Sequence, residues 1–154
     1  MNRFIIILLL ILLITSCDKK VIFEKNITLN NQEWPRDSIK KIVFTIDDTI
    51  NPVNIFFHCR ISGNYPNSNM FLFITIEGPD SLYVRDTLEC ILADDHGKWL
   101  GKGFGGLWSN KIAYKQNVIF PHKGNHSVQL DQATRHIILP AVNDIGISIE
   151  KPNP

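Results

Sequence analysis

Val53-Asn54-Ile55-Phe56-Phe57-His58-Cys59-Arg60-Ile61-Ser62 is the stretch on which the fold turns. Val53, Ile55, Phe57, Cys59 and Ile61 recur at every second position, and Asn54, His58, Arg60 and Ser62 fill most of the positions between. Successive side chains on a strand point to opposite faces, so a period of two marks a half-buried β-strand. Asn51-Pro52 before it and the run Gly63-Asn64-Tyr65-Pro66-Asn67-Ser68-Asn69 after it are turn chemistry, which bounds the strand on both sides.

The same grammar extends outward. Residues 39–47 carry Ile42, Phe44 and Ile46 at period two, and Asp47-Asp48 closes them. Residues 70–77 are apolar on both faces, which predicts a central strand covered on both sides. Gly78-Pro79-Asp80 is a turn, and 82–93 is a long strand with Leu82, Val84, Leu88, Cys90 and Leu92 in register. Asp86 intrudes on that apolar face, which predicts a bulge near 85–87. Residues 26–35 and 94–106 read as loops, 112–115 and 117–120 as two short strands, and Lys123-Gly124-Asn125 as a tight turn into 126–130. Residues 129–138 are the best helical candidate, and they are brief. Ile145, Ile147 and Ile149 alternate with Gly146, Ser148 and Glu150 in a terminal strand. Many short strands with regular turns and no intervening helices predict an all-β, antiparallel β-sandwich, Ig-like or jelly-roll-like, over residues 25–154.

The first seventeen residues have a different character. Arg3 precedes eleven unbroken apolar residues, Phe4 to Ile14, followed by Thr15, Ser16 and Cys17. The run has the length of a signal-peptide core and falls short of the roughly 20 apolar residues that cross a bilayer. A branched apolar residue, two small residues and Cys form the pattern of a bacterial lipoprotein signal. Residues 1–16 are therefore read as a signal peptide, Cys17 as the lipid attachment site, and 17–24 as the anchored tether. The alternative is a buried N-terminal helix. The run has no amphipathic period, and Asp18, Lys19 and Lys20 follow it at once.

Loss of residues 1–16 removes one charge, Arg3, and leaves as many Lys and Arg as Asp and Glu. A neutral chain offers no electrostatic footprint for nucleic acid. Cys59 and Cys90 lie in apolar strand patterns and read as buried thiols, with a disulfide between them as the alternative in an oxidising compartment. His122 and His126 have the spacing of a helical zinc pair, but Pro121 and Gly124 place them in a turn, so no metal site is expected. Gly101, Gly103 and Gly106 spell G-x-G-x-x-G without the helix that a dinucleotide fingerprint requires, and no cofactor is expected. No nucleophile elbow is present, and adjacent Asp94, Asp95 and His96 read as solvated turn residues, so no catalytic residues are assigned.

Trp99, Leu100, Phe104, Leu107 and Trp108 crowd a glycine-rich loop. Aromatics in such a loop either cap the open end of a sandwich or form a contact patch. On the second reading Trp99, Phe104 and Trp108 are the candidate partner-contact residues. Exposed Trp99, Trp108 or Tyr65 would also suit a polysaccharide-binding sandwich, which is the alternative function.

The leader to Cys17, then Pro66-Asn67-Ser68-Asn69-Met70-Phe71-Leu72-Phe73-Ile74, Asp86-Thr87-Leu88-Glu89, Ala93-Asp94-Asp95-His96-Gly97-Lys98-Trp99-Leu100-Gly101-Lys102-Gly103-Phe104-Gly105 and Asp144-Ile145-Gly146-Ile147-Ser148-Ile149-Glu150 follow one another along the chain. Together they resemble the gliding motility lipoprotein GldH family of Bacteroidota over essentially the whole length. The resemblance implies a non-enzymatic accessory component of the gliding machinery and its associated protein secretion. It would be held in the outer membrane by lipid and bound to protein partners of that complex. Asp18-Lys19-Lys20 lacks the acidic cluster that accompanies surface export of such lipoproteins, which points to the periplasmic face.

Overall fold

The computed structural model describes residues 20–153; Cys17 and the leader at 1–16 lie outside them. Eleven strands follow in order: β1 (Val21–Thr28), β2 (Glu33–Pro35), β3 (Lys40–Ile46), β4 (Val53–Ser62), β5 (Asn69–Glu77), β6 (Tyr83–Ile91), β7 (Lys102–Phe104), β8 (Leu107–Val118), β9 (Gly124–Gln132), β10 (Ile138–Pro140) and β11 (Val142–Glu150). They form a five-stranded sheet in the order β1-β11-β4-β8-β7, a four-stranded sheet in the order β3-β9-β5-β6, and a small β10-β2 ribbon. Every pairing described is antiparallel. The chain is an antiparallel β-sandwich.

The core is the space between the two larger sheets. Ile55, Phe57, Cys59 and Ile61 of β4 and Ile145, Ile147 and Ile149 of β11 face Ile42, Phe44, Met70, Leu72, Ile74, Val128 and Leu130, all buried. Burying each large apolar side chain gains about 1.5–3 kcal/mol, which is why the period-two residues choose the inward face. The β2–β10 ribbon closes one end with Trp34 and Leu139, both fully buried, and Trp34 Nε1 donates to the Ser38 carbonyl at 3.0 Å.

Several expectations are corrected. β1 begins at Val21, inside the stretch read as tether, and runs into the expected 26–35 loop. Phe23 and Ile27 pack on the core and the backbone pairs with β11, which holds a strand that Lys25 makes hard to see in the sequence. The 26–35 segment also contains β2. β5 is central in its sheet but covered on one face: Met70, Leu72 and Ile74 are buried, whereas Phe71 is exposed and Phe73 lies 4.5 Å beneath the Arg85 guanidinium. The helical candidate at 129–138 continues β9 and then turns. The buried Gln132 side chain shapes that turn, accepting from Thr134 N at 3.0 Å and donating to the His136 carbonyl at 2.9 Å.

The bulge expected near 85–87 is absent, since β5 and β6 pair without a register shift. The irregularity lies in β8 instead. Ile55 faces Lys115 and Phe56 faces Ala113, so Tyr114 is the extra residue, and Asn117 takes a φ of 54°. That break divides the apolar pattern of a single 12-residue strand into what reads as two short ones.

Candidate functional site

The connections gather at two poles. The turns at 47–52, 78–82 and 119–123 lie at one pole, with Lys20 and Lys151 joined there by a backbone hydrogen bond of 2.9 Å. The opposite pole carries the segments at 63–68, 92–106 and 133–141. β8 spans the two; the rise of about 3.3 Å between successive residues of this 12-residue strand sets its first and last Cα atoms roughly 36 Å apart.

Every aromatic residue singled out in the glycine-rich segment lies at the second pole. Asp94 builds the first turn there. Its carboxylate accepts from the backbone N–H of His96 and of Lys98, both at 2.9 Å, so Asp94 is used in turn formation. Ala93 then bridges Trp99 and brings the chain back. The expected loop at 94–106 is thus partly ordered as strand, with β7 paired to β8 from Lys102 opposite Ser109 to Phe104 opposite Leu107. Gly105 and Gly106 are the two residues of that hairpin turn, with φ of 58° and 78°. Positive φ at both positions is the type I′ geometry that suits the right-handed twist of the strands and that glycine adopts without strain. The G-x-G-x-x-G match is therefore a hairpin, and strand follows it where the fingerprint needs a helix.

The aromatics divide into two groups. Tyr65, Trp99 and Trp108 pack together: Tyr65–Trp99 centroids are 6.3 Å apart and Trp99–Trp108 centroids 6.1 Å apart, with Tyr65 buried and both indoles partly buried against the core. The Tyr65 hydroxyl donates to the Asn69 carbonyl at 3.0 Å, and burial pushes it above the usual phenol range. Packing on one another and on the core gives these rings a capping role and leaves only part of each indole to solvent. Phe104 at the hairpin tip is 91% exposed. Ile91, Leu100 and Lys102 line a groove of about 380 Å³ on the same side of the molecule as Ser109 and Lys111.

A second feature escapes the sequence. The outer face of the five-stranded sheet carries a polar chain in which His58 Nε2 and the Ser148 hydroxyl are 2.7 Å apart, Ser148 donates to Glu150 at 2.9 Å, and Lys111 Nζ sits 2.5 Å from the same carboxylate. Glu150 is only 3% exposed. Burial pushes its carboxyl up, but the Lys111 ammonium and the Ser148 hydroxyl outweigh burial and hold it below the usual range. Burial lowers the His58 imidazole. Beside this chain a polar groove of about 320 Å³ is lined by Glu24, Asn26, His58, Arg60 and Asp144, with Arg60 Nε donating to Asp144 at 2.7 Å. These residues come from β1, β4, β8 and β11, and only the pairing register places them together.

The histidines are dispersed. His122 Nε2 lies 3.3 Å from Asp80, and His126 is buried against Phe44 and Phe120. No group of three or more His, Cys, Asp or Glu with metal-binding geometry occurs among the described residues. Cys59 and Cys90 are buried free thiols, which corrects the disulfide alternative.

Residues 21–149 match the sequence profile of the GldH lipoprotein family. The gliding motility lipoprotein GldH homolog of Christiangramia forsetii is 33% identical over 148 residues, covering 92% of this chain and 90% of that protein. The gliding motility lipoprotein GldH of Flavobacterium johnsoniae is 33% identical over 153 residues, covering 95% and 94%. Among solved structures, one of the infectious bursal disease virus Gx strain covers 84% of this chain and 31% of its own at 12% identity, with a TM-score of 0.29, too low to carry an argument. The profile match runs from the first residue of β1 to the penultimate residue of β11, so it takes in both sheets and the aromatic pole. The chain belongs to the GldH lipoprotein family.

Proposed function

We propose that this protein is a non-enzymatic lipoprotein of the gliding motility apparatus and its associated secretion. On this reading it is acylated at Cys17, held on the periplasmic face of the outer membrane, and engaged with a protein partner through the β7–β8 hairpin. Residues 1–16 are its signal peptide, and the sandwich from β1 onward is its working domain. Kinship with gliding motility lipoproteins of two organisms, each matched over at least 90% of its length, supports the assignment to motility.

One observation carries the choice of surface. Phe104 offers a large apolar side chain to solvent at the tip of a turn built to hold it there, while its aromatic neighbours Trp99 and Trp108 serve the cap. A solvent-exposed ring on a preorganised hairpin at the pole away from Lys20 and Lys151 is the form of an interface anchor. Phe104→Asp tests it. The variant is expected to keep the wild-type Tm, to lose the protein captured by wild type in crosslinked envelopes, and to stop colony spreading. Unchanged capture and spreading with Phe104→Asp would refute the assignment of the hairpin.

A further inference from the structure

We propose that the pole bearing the turns at 47–52, 78–82 and 119–123 rests on the lipid leaflet itself, seating Ile50, Leu82 and Ile119 in its interface. The inference depends on the acylation of Cys17 and adds to it a second, non-covalent attachment with a defined orientation.

The first argument is reach. Three Cα-to-Cα steps separate Cys17 from Lys20, and an extended chain covers at most about 11 Å in that interval. Lys20 is already fixed to the sandwich through the Lys151 N–H. A lipid on Cys17 therefore holds this pole against the bilayer whatever path the tether takes.

The second argument is what the pole presents. Ile50, Leu82 and Ile119 are 81%, 73% and 53% exposed, and each sits at or beside a turn of this pole. Tyr83 is exposed next to Leu82, an aromatic type that favours the membrane–water boundary. Behind them an apolar cleft of about 510 Å³ opens between the sheets, lined by Ile76, Leu82, Val84, Val118, Ile119 and Phe120.

The third argument is that these turns are braced. The Asp48 carboxylate accepts from Ile50 N at 2.8 Å and from Asn51 N at 3.1 Å, which holds Ile50 at its apex. Asp80 and His122 join the second turn to the third at 3.3 Å. Lys20, Lys123 and Lys151 match Asp47, Asp48 and Asp80 in number at this pole, so burial of apolar area drives the contact and anionic lipid is not needed.

The test uses full-length acylated protein in phosphatidylcholine vesicles containing a lipid brominated on its acyl chains. Trp34, Trp99 and Trp108 all belong to the far pole and serve as the internal control. Side chains seated about 5–10 Å into the headgroup–acyl boundary lie within reach of the bromines, so emission added by Leu82→Trp, and independently by Ile50→Trp, is expected to fall about twofold. The wild-type emission is expected to stay unquenched. Flotation of the same sample separates the two claims. Protein that floats with the vesicles but shows no quenching at either position overturns the docked pole while the anchor stands. Protein that fails to float overturns the anchor and the docking with it. Quenching of the native tryptophans overturns the orientation.

Discussion

The Tyr114 hydroxyl donates to the Asp86 carboxylate across 2.6 Å and ties the two sheets together at their β8 and β6 margins. Lys115 Nζ reaches the same oxygen at 2.8 Å. The bulge in β8 frees Tyr114 from the ladder and turns it toward Asp86, so an acid that looks like an intrusion in the apolar face of β6 is a satisfied acceptor. The hydrogen bonds from Lys115 and then Tyr114 hold the Asp86 carboxyl below its usual range. Its contribution to stability is complete above the unfolded value of about 3.9 and is lost as pH falls through the lower folded value. Tyr114→Phe is expected to cost about 1 kcal/mol, kept small by the partial exposure of the acid. Urea midpoints measured from pH 3 to 6 check both statements, and Asp86→Asn should flatten the acid limb.

Lys111→Met strands the Glu150 carboxylate inside the sheet face. Lys111 itself is 45% exposed, so the expected loss is about 2 kcal/mol, below that for a fully buried pair. Lys111→Met with Glu150→Gln should regain most of it, and a double-mutant cycle by chemical denaturation reads the coupling.

His58 adds a second pH dependence at milder acidity. Burial keeps its imidazole neutral in the fold, so its contribution is present above the unfolded value of about 6.5 and declines as pH drops through the lowered folded value. Tm measured from pH 7.5 to 5 is expected to fall for wild type and to fall less for His58→Gln.

Cys59 and Cys90 should be chemically silent. Burial pushes the Cys59 thiol well up and Cys90 up to about 12, which removes the reactive thiolate. In a Cys17→Ala variant, a thiol reagent is expected to label neither residue until denaturant is added and then to label both. Labelling of folded protein, or a lack of free thiol after denaturation, contradicts the buried free state.

The hairpin turn predicts a local effect without a global one. Gly105→Ala with Gly106→Ala places Cβ atoms at two left-handed positions, at a cost of about 1–2 kcal/mol each. The hairpin is exposed, so faster amide exchange from 102 to 107 is expected with little change in Tm. Gly105→Asn, which suits the first position of a type I′ turn, should restore protection.

The strand pattern was legible wherever one face is core and the other is water. β3 and β4 match their alternation within a residue because Ile42, Phe44, Ile55 and Phe57 have a single inward direction to take. Legibility failed where a side chain's role lies across the sandwich. Asp86 predicted a bulge in its own strand, and the bulge is in the strand that supplies its partner. Phe71 and Phe73 predicted a covered face, yet Phe73 is spent under Arg85. At the candidate site, the residue types and the glycine-rich spacing were readable. The division of labour that sends Trp99 and Trp108 into the cap and leaves Phe104 outside was not.

By itself the sequence determined the all-strand class, the inward residues of its clearest strands, most of the turns and the family, since periodicity, turn chemistry and motif order are local properties of the chain. Tertiary structure alone decided that His58, Lys111, Ser148 and Glu150 form one polar chain, and that Lys20 and Lys151 meet at the pole opposite Phe104. Both depend on which distant strands pair and in what register. That choice is made by packing two sheets face to face, and no local stretch of residues records it.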